Sequence, residues 1–265
     1  MLDISSKNPA AGSQTVARAM ELLRVVSTHS REGVRLVDLV DALGLSRPTA
    51  HRLLKELVDC GLLMRSHDKR YYLGQFAYEL GLSAASHFHL RELCAPFLDK
   101  VAEATGDTVF LVVRSGADSF CLDRRTGAFP VKVFSVEVGN RQPLGVGAGG
   151  LALLAWLNED ERKAAIQANA PRLPGYGGLT PGLLETLVEE ARKQGHSRIS
   201  DFAIAGVTGV GMPVLDRAGQ PIAAMSVTAI SMRMTPSHQA DVLKDLDREV
   251  ARLRSALYRS GSRVR

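Results

Sequence analysis

GLSRPTAHRLLKELVDCG, residues 44–61, decides the fold of the first third of the chain. Ala50, Leu53, Leu54, Leu57 and Val58 recur at helical spacing and make one apolar face. Ser46 suits an N-cap, Pro48 the first turn and Gly61 the stop, so a helix is predicted between them. Its other face carries Arg47, Thr49, His51, Arg52 and Lys55, with no acid before Glu56. Such side chains donate to base edges and phosphates, and a major groove admits one helix.

Working outward, Val16, Ala19, Met20, Leu22, Leu23 and Val26 predict a first helix. Leu36, Leu39, Val40 and Leu43 predict a second that stops at Gly44. The short turn Gly44-Leu45-Ser46 sets the third helix across it. Beyond Gly61, two short apolar runs, Leu62–Met64 and Tyr71–Leu73, flank a polar tip and read as a β-hairpin. Arg65, His67, Lys69 and Arg70 at that tip suit phosphates or a minor groove. Helix, helix, turn, helix, hairpin is the order of a winged helix-turn-helix. A winged helix serving only protein interaction is the main alternative reading.

The remainder reads as α+β, an antiparallel-rich sheet flanked by helices. The domain plan is an arm over 1–13 expected to be mobile, a winged helix over 14–75 and a linker helix over 76–89. A larger domain follows over 90–260, with a basic tail over 261–265. Strands are expected near 108–113, 119–122, 131–138, 197–203, 210–215 and 222–229. Thr180-Pro181 and Thr235-Pro236 open helices, and Gly106 and Gly195 close them.

With 265 residues, 45% hydrophobic and 23% charged, the composition is that of an ordinary globular protein with room for two domains. The net charge is +5, and residues 1–75 hold eleven Lys/Arg against eight Asp/Glu, so the basic excess leans forward. Cys60, Cys94 and Cys121 form no Cys-x-x-Cys pair, which argues against a disulfide framework or a metal site and fits a reducing, cytoplasmic setting. Asp3 and Lys7 interrupt any leader-like apolar run. The uncharged stretch 142–158 is Gly-rich and reads as a buried loop and helix, not a membrane span. No cofactor is expected. Gly145-x-Gly147-x-x-Gly150 matches a dinucleotide fingerprint, but Gln142-Pro143 stands where a strand should, and no acid lies about twenty positions on. A nicotinamide-dependent enzyme is therefore a minor alternative. No Gly-x-Ser-x-Gly elbow is present, and the His87-x-His89 pair reads as solvated, as does His238.

Residues 15–19, Leu45–Leu54 and Tyr72-Leu73-Gly74 resemble the IclR family of bacterial transcriptional regulators. The resemblance continues through Leu122-Asp123-Arg124, Pro143-Leu144, Gly150, Gly195 and Ser226-Val227-Thr228, covering nearly the whole chain. It implies a homodimer or homotetramer on a palindromic operator, and a GAF-like effector domain that senses a small organic acid. It also implies a pocket in which Ala148 and Gly149 offer backbone amides, and Ser226 and Thr228 hydroxyls. Val131 and Phe134 would form an apolar wall, with Ile199 and Gly209 nearby. Glycines turning the chain and a strand alternating Ser226 with Thr228 would explain the same residues without a ligand. The sequence departs from the family pattern at Gly145-Val146-Gly147, Leu151 and Thr208-Gly209, where polar side chains are common. A roomier, more apolar pocket is expected, and an aromatic carboxylate is the leading ligand.

Overall fold

A computed structural model describes residues 11–85 and 89–259. The first ten residues of the expected arm, residues 86–88 of the linker, with His87, and the basic tail lie outside them. Two compact units divide the chain, residues 1–87 and 88–265.

The first unit runs α1 (Ala11–Thr28), β1 (Val34–Arg35), α2 (Leu36–Leu43), α3 (Arg47–Asp59), β2 (Leu63–Arg65), β3 (Arg70–Leu73) and α4 (Gln75–Ala85). Residues 11–13, assigned to the arm from sequence, form the first turn of α1; the apolar stripe that marks the helix starts only at Val16. Gly44 ends α2 in the left-handed region, φ 60°, which glycine enters without Cβ strain. Leu45 then plugs into the core, and Ala50, Leu53, Leu54 and Leu57 of α3 pack with Leu22, Val26, Leu39, Leu63 and Tyr71. Such burial contributes about 1.5–3 kcal/mol per large aliphatic side chain. The three-stranded sheet has the order β1-β3-β2. β1 is only two residues long, too short to show alternation, and was not foreseen.

The second unit runs α5 (Leu90–Thr105), β4 (Thr108–Ser115), β5 (Asp118–Thr126), β6 (Arg141–Pro143), α6 (Ala148–Ala155), α7 (Glu159–Asn169), α8 (Pro181–Gln194), β7 (Ser197–Ser200), β8 (Val207–Leu215), β9 (Pro221–Ile230) and α9 (Pro236–Arg259). A short 3-10 turn, Leu173–Gly175, separates α7 from α8. The six strands make one antiparallel sheet, order β6-β5-β4-β9-β8-β7. Both faces are covered, so the strands read apolar on both sides. Val109 and Leu111 pack with α5 and α9, while Phe110 and Val112 pack with the α6–α8 layer. All eight residues of α6 are buried, which is why its sequence shows no polar face. Thr180 caps α8 by accepting from the Leu183 N–H, and Thr235 caps α9 by accepting from that of His238.

The expected strand over 131–138 is not one. Among the described residues its backbone pairs with side chains instead of a ladder: the Val133 N–H donates to Thr108 Oγ1, and Gln142 Nε2 donates to the Ser135 carbonyl at 2.9 Å. Pro130 before it supplies no N–H. The paired strand lies further on, as β6. His238, read as solvated, is half-buried and bonds Asp107 Oδ2 at 2.6 Å, while Arg233 Nε holds the other oxygen at 2.6 Å. That pairing spans 131 residues and leaves no local trace.

Candidate nucleic-acid interface and effector cavity

The register of α3 turns the sequence pattern into a surface. Its apolar residues face the core, and Arg47, His51, Arg52 and Lys55 are exposed, with Thr49 half-buried. Ser46 adopts an extended N-cap backbone, but its hydroxyl donates to Thr49 Oγ1 at 2.8 Å and not to the helix end. Arg47, His51 and Arg52 form no ion pair among the described residues. Lys55 differs: its ammonium holds Asp59 at 2.5 Å, and that hydrogen bond raises its pKa above the ordinary lysine value.

The wing residues separate in the same way. Lys69 sits at the hairpin tip with φ 65°, and Arg65 lies 5.7 Å over the Tyr71 ring; both are exposed. Arg70, expected at a phosphate, is used internally. Its Nη1 donates to the carbonyls of Glu32 and Gly33, each at 3.1 Å, and its Nε meets Asp68 at 3.2 Å. It fastens the wing to the turn before β1. A cleft of about 800 Å³ runs between wing and helices, lined by Arg35, Val37, Arg47, His51, Arg65 and Lys69 among others. Arg35, which ends β1, is not among the residues singled out from sequence.

In the second unit a cavity of about 40 Å³ lies between the sheet and the start of α6. Ala148, Gly149, Ile199, Gly209, Ser226 and Thr228 all line it. β8 and β9 place Gly209 opposite Thr228 and Gly211 opposite Ser226. The absence of side chains at these glycines lets α6 come close. A Cβ on Gly149 would lie 2.6 Å from Val112 Cγ2 and 3.1 Å from Ser226 Oγ, and one on Gly209 would lie 3.1 Å from Thr228 Oγ1. Gly147 is the N-cap of α6, with φ 74°, and the first intrahelical bond is made by the Leu151 N–H to its carbonyl. The N–H groups of Ala148, Gly149 and Gly150 therefore precede the helix ladder and remain for another acceptor. Ser226 and Thr228 are 3% and 7% exposed, and among the described residues neither hydroxyl has a hydrogen-bond partner.

Two of the expected wall residues are elsewhere. Val131 and Phe134 are half-exposed, 50% and 48%, and line no part of this cavity; Phe134 stacks 4.0 Å from the Arg124 guanidinium. The wall comes instead from Phe110, Val112, Cys121, Val136 and Phe202. Phe110 is the strand partner of Ser226, so the β4 alternation held the missing signal once the register was known. Burial pushes the Cys121 thiol up to about 12, so it lines the cavity as an unionised apolar group. The extra room expected from Gly145 is occupied: a Cβ there would meet Leu184 and Leu154 at 2.8 and 2.9 Å. Leu151 is fully buried in the core, and Thr208 bonds Ser200 and Ser231. No Lys, Arg or His lines the cavity among the described residues.

Comparison with known proteins decides the family. The model for the IclR helix-turn-helix domain matches residues 15–67, and that for the bacterial transcriptional regulator IclR C-terminal domain matches residues 82–255. The chain belongs to the IclR family. Like the family, it is a DNA-binding transcriptional regulator with a ligand-binding C-terminal domain. It is 27% identical to the HTH-type transcriptional regulator XynR of Escherichia coli over 92% of this chain and 97% of that one. The transcriptional repressor IclR of the same organism is 25% identical, over 86% and 84%. A solved IclR-type regulator from a Silicibacter species superposes with a TM-score of 0.77 at 25% identity, covering 92% of this chain and 96% of that one. An IclR homologue from Microbacterium hydrocarbonoxydans, solved with 4-hydroxybenzoate, gives 0.69 at 25% identity, covering 92% and 98%. These relatives are regulators, so neither the nicotinamide enzyme nor a purely protein-binding module stands. The glycine fingerprint agrees: it follows an edge strand of an antiparallel sheet, and no parallel βαβ unit surrounds it among the described residues. No described helix is long and apolar enough to cross a membrane.

Proposed function

We propose that α3 enters the major groove of a palindromic operator, with Arg47, Thr49, His51 and Arg52 at base edges or adjacent phosphates. Lys55, Arg65 and Lys69 take phosphates, and Ser46 orders the helix start through Thr49. On this reading residues 14–75 act as the DNA-binding domain and 90–260 as the effector domain, in the cytoplasm. A palindrome calls for two copies. The first unit carries exposed apolar pairs at helical spacing, Val16 and Met20 on α1, Phe76 and Leu80, and Tyr78 and Leu82, on α4. A homodimer built on these faces, alone or paired into a tetramer, removes them from water.

The effector is a small organic acid whose carboxylate lies at the start of α6. The observation that carries this is convergence: three unspent N–H groups and two unpartnered hydroxyls open on one cavity. Helix N-terminal amides and the dipole favour an anion there. An aromatic monocarboxylate is the leading candidate, supported by Phe110, Val112 and Val136 in the wall and by the 4-hydroxybenzoate held by a relative. The cavity is small, so Phe202 or Val136 must shift to admit a ring.

Thermal-shift screening of monocarboxylates, followed by operator gel shifts with the acids that stabilise, tests the reading. Benzoate-sized acids are expected to raise the melting temperature and to change operator affinity. Stabilisation by glyoxylate- or pyruvate-sized acids alone would remove the aromatic assignment. The sign of the coupling follows from which form of the protein the acid prefers.

A further inference from the structure

We infer that Arg35 is a DNA-phosphate ligand maintained at the expense of wing stability; this rests on the operator-binding reading and adds a residue to it. Arg35 ends β1, and its Cα partner across the strand pair is Arg70. Like charges directly opposite on a sheet repel and weaken the pairing. Arg70 is satisfied there by two carbonyls and by Asp68. Arg35 is exposed, and its guanidinium forms no ion pair among the described residues. The acid nearest in sequence, Asp38, accepts from the Arg35 backbone N–H at 3.2 Å. Asp68, which lines the same cleft, is taken by Ser66 and Arg70.

The position also opens α2, where a Ser, Thr or Asp would cap the helix and an arginine cannot accept. Cross-strand repulsion and a missing side-chain cap therefore coincide at one residue, where only the Asp38 half of a capping box is made. Both local rules are broken in the same cleft that collects Arg47, Arg65, Lys69 and His51. Local rules broken together mark a site kept for function. A duplex phosphate supplies the missing anion, and Arg binds it bidentately. Placed between α3 and the wing, Arg35 grips the backbone beside the groove that α3 reads and carries no base information.

The test is the salt dependence of binding, measured by fluorescence anisotropy on the full chain with an operator duplex and an unrelated duplex. Arg35→Gln is expected to weaken both by the same factor and to lower the slope of log affinity against log salt by about 0.9. Arg35→Lys is expected to keep the slope. The melting temperature of Arg35→Gln is expected to rise, because the repulsion across from Arg70 is relieved. An unchanged slope, or a fall in melting temperature with an unchanged slope, overturns the proposal. Arg52→Ala in the same series separates the two readings. If it loses operator affinity while Arg35→Gln does not, only the inference about Arg35 falls; if neither variant differs from the parent, the groove assignment falls with it.

Discussion

On the reading proposed above, the outward face of α3 and the cavity under Ala148 both receive anions, with opposite materials. On α3 the partner meets Arg47, Arg52 and the wing cations Arg65 and Lys69, all exposed. In the cavity it meets backbone N–H groups, the hydroxyls of Ser226 and Thr228 and the Gln142 amide; the lining also includes the exposed Asp201 carboxylate, which accepts from the Gly206 N–H, and no cationic side chain among the described residues. The difference follows from what each anion brings. A duplex carries a condensed counterion cloud, and surface cations gain affinity by releasing it. A lone carboxylate entering a closed site needs its oxygens hydrogen-bonded, and a buried cation would add its own desolvation cost. Exposed charge suits the polymer, and fixed dipoles suit the small acid.

The largest expected contrast is in salt response. If six or more phosphates are contacted, operator affinity falls by about a thousandfold or more between 50 and 200 mM salt. The affinity for the acid, by calorimetry over the same range, is expected to change little. An effector affinity that fell as steeply would place the acid at a surface cation and erase the distinction.

Next in size is Gly149→Ala. The added methyl would stand 2.6 Å from Val112 Cγ2, and overpacking of this kind costs about 1–3 kcal/mol. The variant is expected to lose its thermal response to the acid while retaining acid-free operator binding in a gel shift. Retained response would move the ligand away from the α6 start. Ser226→Ala and Thr228→Val are each expected to weaken the acid by about 1.5–3 kcal/mol in calorimetry through one lost hydrogen bond to a charged group. Smallest is Lys55→Ala on the DNA side. Because Asp59 already holds the ammonium, the loss in operator affinity is expected to be smaller than that of Arg52→Ala in the same gel shift. A loss as large as that of Arg52→Ala would show that DNA displaces Asp59.

The two regions also differ in how far their sequences betray them. α3 is a local object: Ser46, Pro48 and the Ala50–Val58 stripe fix one helix, and everything off the stripe is its outer face. The same locality made the caps at Thr180, Gly195 and Thr235 legible. The cavity is assembled from β4, β5, β7, β8, β9 and α6, whose register no single stretch encodes. Ser226, Thr228 and Gly149 were reached only through family resemblance. Val131 and Phe134 were placed on its wall by the same resemblance; in this chain they stand in a loop held by Thr108 and Gln142. Arg70 shows the converse error. Its charge at a hairpin tip suggested a phosphate, yet the carbonyls of Glu32 and Gly33, nearly forty residues earlier, had already claimed it. Arg35 and the Asp107–His238 pair escaped for the same reason, since each depends on a distant partner.

The assignment of α3 to the groove is tested most directly by one ratio: the affinity of parent and Arg52→Ala for the operator, each divided by its affinity for unrelated DNA at one fixed salt. The ratio is expected to fall by a factor equivalent to about 1–3 kcal/mol, because a guanidinium at a base edge carries sequence information that a phosphate contact does not. An unchanged ratio would contradict it and leave some other surface to read the operator.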